Sequence, residues 1–193
     1  MKSKRQLQKE NTRQKIMETA YRIYSQQGFA ATTALIAREA GVSHGTIFTH
    51  FQSLSELLEE LIRNFGSSLA EEVHELAESS GSIEELLKTH LEILARHEDF
   101  YFWLVTERSL LPEEVQYLFE DTQTVIAHHF NRIFEREVEK QTIKDIPAHM
   151  FFNTWLGLLH YYLGNKDFFS PDEPLFNRYG KELISTFLKL IEK

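Results

Sequence analysis

Apolar residues recur along this chain at intervals of three and four, and no strict alternation persists over any stretch, so the pattern is that of helices. Ile16, Ala20, Ile23 and Tyr24 share one side of a first helix, which Asn11 or Thr12 can cap and Gly28 closes with a left-handed conformation. A short helix is predicted from Ala34 to Ala40, then Gly41, then another from His44 to Phe51. Ser53 and Glu56 form an S-x-x-E capping box, and Leu57, Leu58, Leu61, Ile62 and Phe65 supply the buried stripe that follows. A second box, Ser82 and Glu85, opens a helix through Leu86, Leu87, Leu91 and Leu94. Phe100, Tyr101, Phe102 and Trp103 surround one segment with aromatic rings, which demands that it be enclosed. Pro112 sits where a long helix can start, continued by Val115, Leu118, Phe119, Ile126, Phe130, Ile133 and Phe134. Pro147 starts a helix without charge. The loop GNKDFFSPDEP separates it from a last helix carrying Leu175, Phe176, Tyr179, Leu183, Phe187, Leu190 and Ile191 on one face. The prediction is an all-α chain of about nine helices, three of them in the first 51 residues.

The two short helices joined at Gly41 have the form of a helix-turn-helix. Ile36, Ala37 and Ala40 face inward from the first; Ala37 is small where two helices cross closely. Gly41 supplies the positive φ of the turn, Val42 fills the angle, and Ile47 and Phe51 hold the second helix to the core. Ser43 then stands as the N-cap of that second helix. His44, Gly45, Thr46, Thr49 and His50 are left exposed, with Phe48 at the edge. Free N–H groups and the helix dipole at this end favour phosphate. A helix that enters a major groove must lead with short side chains. Gly45 costs about 1 kcal/mol of helix stability relative to alanine, a cost that close approach to bases explains. A surface hairpin with a polar outer face would show the same residues, so the pattern by itself leaves both readings open.

Charge separates them further. The chain of 193 residues carries a net charge of −8, but residues 1–53 hold eight Lys and Arg against three acids, giving 8 − 3 = +5. Residues 54–193 hold the remaining 13 against 26, giving 13 − 26 = −13. A basic head on an acidic body fits a head that meets a polyanion. There is no cysteine, hence no disulfide, thiolate site or thiol nucleophile. The basic N-terminus lacks the apolar run of a secretory signal. Residues 146–165 carry no Asp, Glu, Lys or Arg and are long enough to span a bilayer, but Pro147, His149, Asn153, Thr154 and His160 interrupt them. A helix buried on more than one side accounts for that segment better, and a cytoplasmic location follows.

The stretch GFAATTALIAREAGVSHGTIFTHFQSLSELL resembles the DNA-binding head of the TetR family of transcriptional regulators, over about residues 10 to 62. The shared pattern is a Thr-Thr pair, Ile-Ala, Ala-Gly-Val-Ser, Gly-Thr-hydrophobic-aromatic and His-Phe. The resemblance implies that Thr33 and Ser43, with Thr32 beside them, contact phosphates. It also implies that His44, Gly45, Thr46 and Thr49 face base edges and that His50 lies against the backbone. Phe48 stands where the family often has tyrosine, so a phenolic contact is missing. Leu54 replaces a family lysine that touches phosphate, which implies a salt dependence shallower by about one counterion. The stretch between Gly28 and Ile36 is one residue shorter than the family's. Lys2, Lys4, Arg5 and Lys9 are expected to compensate as a flexible basic arm within residues 1–10.

The resemblance assigns residues 1–52 to DNA binding and 53–193 to effector binding and dimerisation. The apolar positions Met150, Phe151, Trp155, Leu156, Leu158, Leu159, Tyr162 and Leu163 spread too far round their helix for one internal face. Gly157 permits close approach, so the last two helices are expected to pair with a second copy. Trp103, Phe119, Phe130, Trp155 and Tyr162 are candidates to line an apolar effector pocket, with His90 or Arg108 as the orienting polar group. His128 and His129 diverge by about 100° on a helix, and His74, His90, His97, His149 and His160 show no metal-binding spacing. No metal, cofactor or catalytic constellation is expected, and the chain does not read as an enzyme. The expectation is a homodimeric repressor released from a palindromic double-stranded operator by a small hydrophobic or aromatic ligand. The alternative is an architectural or activating DNA-binding protein without an effector.

Overall fold

The computed structural model describes residues 3–79 and 81–193. Its α-helices are α1 (Lys4–Gln27), α2 (Thr33–Glu39), α3 (His44–His50), α4 (Leu54–Glu78), α5 (Ile83–Arg96), α6 (Glu98–Thr106), α7 (Glu113–Glu139), α8 (Ala148–Gly164), α9 (Lys166–Phe169) and α10 (Leu175–Ile191), with a 3-10 turn at Arg108–Leu110. Among the described residues the β pairing is a single antiparallel bridge between Ile143 and Glu192. The chain divides into two compact units. The first comprises residues 1–64 and 99–118, the second 65–98 and 119–193, so α4, α6 and α7 each give residues to both.

In the first unit Ile16, Ala20, Ile23 and Tyr24 of α1 are buried with Ile36, Ala37 and Ala40 and with Ile47 and Phe51, as their spacing predicts. The start of α1 differs from expectation. Neither Asn11 nor Thr12 caps it. Ser3 does, accepting from Gln6 N while the Gln6 side chain accepts from Ser3 N. This reciprocal box satisfies two orphan groups at once, and the Thr12 hydroxyl instead bonds back to Gln8 O at 3.0 Å. Lys4, Arg5 and Lys9 therefore lie on the first turns of a helix and not on a flexible arm; Lys2 lies outside the described residues. Gly28 closes α1 with φ 75° and ψ −179°, a region open to glycine alone and distinct from the left-handed helical cap. A Cβ there would stand 2.7 Å from Glu107 Oε2 and 2.9 Å from the Trp103 ring. Glu107 accepts the Phe29 N–H at 2.7 Å, and Trp103 Nε1 donates to Ser25 O at 3.1 Å. Of the aromatic run, Phe100 and Tyr101 are buried, whereas Phe102 and Trp103 are only half-buried.

In the second unit α10 packs on α5 and α8. The Ser82–Glu85 box forms as predicted at the head of α5. Buried Glu98 accepts the N–H groups of Leu175 and Phe176 at 2.7 and 2.9 Å, which caps α10 with a carboxylate where Pro174 offers no side-chain cap. Arg136 closes the far end of α4, donating to the carbonyls of Ala77, Ser79 and Gly81 at 2.9 to 3.2 Å. The segment predicted as a loop after α8 contains the four-residue helix α9. No helix among the described residues is long and apolar enough to cross a membrane.

Candidate nucleic-acid interface

The turn between α2 and α3 is built on Gly41, with φ 64°, whose N–H bonds to Arg38 O while that of Val42 reaches Ala37 O. Each helix begins on a side-chain cap. Thr32 Oγ1 accepts from Leu35 N at 3.3 Å, and Ser43 Oγ accepts from Thr46 N at 3.2 Å. Thr32 is thus the cap and Thr33 the first helical residue of α2, which settles the register left by the short loop after Gly28. Ile47 and Phe51 are buried to within 1%. The opposite side of α3 presents Ser43, His44, Gly45, Phe48 and Thr49 to solvent, with Thr46 and His50 half-buried.

These side chains already interact. His44 Nε2 lies 2.9 Å from Thr33 Oγ1, and its ring meets Phe48 edge-on at 5.2 Å. Thr46 Oγ1 is 2.7 Å from Ser43 Oγ, and Thr49 donates to Gly45 O at 3.1 Å. At the end of α3, His50 Nδ1 is buried without a hydrogen-bond partner. Burial, and then the cations Lys9 and Arg13, hold the His50 pKa below its usual value. Arg13 itself stands over the Phe51 ring at 4.2 Å and pairs with Glu56 and Glu60. Lys9 and Lys15 of α1 also lie near this surface, Lys9 beside His50 and Lys15 beside Gly41. Leu54, in the family's lysine position, is exposed at the first residue of α4. Glu56 N is capped by Ser53 Oγ, but the Glu56 carboxylate returns to Gln52 N and not to Ser53 N, so the expected box is offset by one residue.

The residues named for an effector pocket separate into groups. His90, Phe130 and Trp155 come together in the second unit: Trp155 Nε1 donates to His90 Nδ1 at 3.2 Å and the His90 ring meets Phe130 at 5.2 Å. Phe119 is buried, while Tyr162 stacks on Phe169 at 4.5 Å in a different aromatic cluster with Tyr179. Trp103 and Arg108 belong to the first unit. A groove of about 540 Å³ opens between α5 and α10, floored by Leu91, Ala95, Phe176, Ile184 and Leu188, and none of the seven named residues lines it. No three His, Asp or Glu side chains among the described residues are grouped as a metal requires.

Fold and site together define an all-α protein whose helix-turn-helix head precedes a larger helical body. Residues 16–61 match the family described as bacterial regulatory proteins, tetR family. The HTH-type transcriptional regulator AcrR of Shigella flexneri is 38% identical over 72 residues, 37% of this chain and 34% of that protein. The HTH-type transcriptional repressor AcnR of Corynebacterium glutamicum is 29% identical over 152 residues, 76% of this chain and 78% of that protein. The crystal structure of the transcriptional regulator FadR from Bacillus subtilis in complex with stearoyl-CoA superposes with a TM-score of 0.75 at 15% identity, covering 91% of this chain and 97% of that one. With the first curated relatives the match spans only about a third of their length. The likeness to the TetR family thus rests on residues 16–61 in sequence and on the fold over the rest of the chain.

Proposed function

We propose that this protein is a sequence-specific DNA-binding transcriptional regulator, acting in the cytoplasm as a homodimeric repressor on a palindromic operator. The observation that carries the reading is the outer side of α3. Buried Ile47 and Phe51 fix the helix from behind, and Gly45 and the short hydroxyl side chains lead on the side that faces out. Thr33 and Ser43 would take phosphates, Gly45, Thr46 and Thr49 would approach base edges, and His50 with Lys9 would follow the backbone. Because Thr49 gives its proton to Gly45 O, it meets DNA as an acceptor or through its methyl group. Residues 1–52 would carry the DNA-binding role and 53–193 the control of it.

Dimerisation draws support from α8. Its buried residues face the second unit, while Met150, Thr154, Gly157, Tyr161 and Gly164 form an exposed, uncharged stripe at heptad spacing. An apolar or aromatic effector acting on the body completes the proposal; FadR, of similar fold, was crystallised with stearoyl-CoA. Selection of bound duplexes from a random pool tests the core of it. A palindrome is expected, and Gly45→Glu should abolish its binding while leaving the fold intact; wild-type affinity in that variant would remove α3 from the groove. Stearoyl-CoA and aromatic amphiphiles added to the complex test release. Release by none of them would favour the alternative, an architectural or activating DNA binder without an effector.

A further inference from the structure

By position in the family pattern His44 belongs with the residues that face base edges, but its ring is held at two points inside the head. Nε2 stands 2.9 Å from Thr33 Oγ1, across the gap between α3 and α2. The Phe48 ring meets the imidazole edge-on at 5.2 Å, with an interplanar angle of 82°. Half-buried Thr33 and exposed His44 and Phe48 thus form one cluster. A hydroxyl has one proton to give and two lone pairs to offer, whereas a neutral imidazole has one donor nitrogen and one acceptor. Thr33 can therefore face His44 in either of two ways. Its proton points to Nε2, or it accepts from Nε2–H and its own proton points outward. A DNA phosphate oxygen accepts only, so Thr33 can serve it only in the second arrangement.

We propose that His44 is a positioning residue for DNA binding, donating from Nε2 to Thr33 Oγ1 so that the Thr33 hydroxyl donates to a phosphate. This rests on the DNA-binding reading above. The neighbouring hydroxyls differ from Thr33 in a way that supports the assignment. Thr49 gives its proton to Gly45 O, and Thr46 is engaged with Ser43, each within α3 and its own cap. Of the three threonines, Thr33 is the one partnered by a ring on another helix, whose tautomer can turn the hydroxyl proton outward. The Phe48 ring packs edge-on against the imidazole that makes this bond. That gives a role to a phenylalanine at a place where tyrosine would spend its hydroxyl on phosphate.

The test uses the full-length protein and a palindromic duplex selected by the wild type from a random pool, with single-base variants of that duplex. Thr33→Val and His44→Phe are each expected to weaken binding roughly five- to tenfold, the effect of losing a hydrogen bond to a charged group. The double variant should be no weaker than Thr33→Val alone, since both remove the same relay. His44→Gln, whose amide N–H can reach Thr33, should recover most of the affinity. The ranking of the single-base variants should not change in any of them. Multiplying losses in the double variant would overturn the relay, as would an unchanged affinity in Thr33→Val. Relaxed preference at one base pair in His44→Phe would make His44 a base reader instead. Circular dichroism checks the fold of each variant; if His44→Phe loses it, His44→Ala is read by the same criteria. If the wild type retains no duplex at all, the DNA-binding reading fails and the relay with it.

Discussion

Tyr24 is fully buried in the first unit and its hydroxyl has no hydrogen-bond partner, so burial pushes its pKa upward and the polar atom costs stability. Tyr24→Phe is expected to raise the unfolding free energy by about 1 kcal/mol, measured by urea denaturation; a loss of that size would mean that the hydroxyl has a role in the native state. The histidines of the second unit act in the opposite direction to a salt bridge. Burial, and then the neighbouring His160, brings His90 down to about 3; burial alone brings His160 to about 4. Both folded values lie below the ordinary value of 6.5. Above that pH neither state is charged and no stability is at stake. As pH falls the unfolded chain takes up protons first, and stability declines toward the folded values. The urea midpoint should therefore drop between pH 6.5 and 4, and His90→Gln should reduce the steepness by about one proton. An equally steep profile in that variant would remove His90 from the account. At this scale the sequence showed which residues are buried in the head, because Ile36, Ala37, Ile47 and Phe51 repeat at helical spacing. It could not show that Thr33 and His44 meet, since that contact joins two helices and depends on the angle of their turn.

Some helix ends capped locally were legible, although the local Ser3–Gln6 box was passed over for Asn11 or Thr12, and ends whose cap comes from elsewhere were obscure. Ser82–Glu85 and Ser43 are local and were read as caps, whereas Thr32 was not, the helix it caps being expected from Ala34. The caps on α4 and α10 cannot be read in order, because Arg136 and Glu98 arrive from distant positions and carry no local signal. Short α9 was hidden for a different reason: a four-residue turn among Gly, Asn, Ser and Pro has too little periodicity to stand out. Arg136 makes three charge-assisted bonds to carbonyls at the negative end of α4. Arg136→Ala should cost roughly 2–3 kcal/mol of the stability of the second unit, and Arg136→Lys, which lacks the planar fork, should recover only part. Hydrogen exchange at residues 73–78 would report the fraying directly; unchanged protection there would show that the cap is dispensable.

Over the whole molecule, the excess of positive charge in the first 53 residues was visible in the sequence, as was the helical character of every long segment. The outward stripe of α8 was hidden, since Phe151, Trp155, Leu156, Leu159 and Leu163, counted as surplus apolar positions, are buried within the protomer. The interleaving of the two units was not, because it depends on contacts far apart in the chain. If α8 pairs with its copy, Gly157→Glu should produce monomers in sedimentation equilibrium without unfolding them, since a Cβ at Gly157 meets nothing within 4 Å. A dimer that persists would place the interface elsewhere. Compactness groups residues 99–118 with the helix-turn-helix head. There Glu107 satisfies Phe29 N and Trp103 holds Ser25 O, each across 78 positions of sequence. During synthesis, then, the end of α1 waits for more than half the chain to emerge before these two groups find their partners. The nascent head would leave the exit tunnel with Phe29 N and Ser25 O still bonded to water, its packing complete only after residues 103–107 have followed.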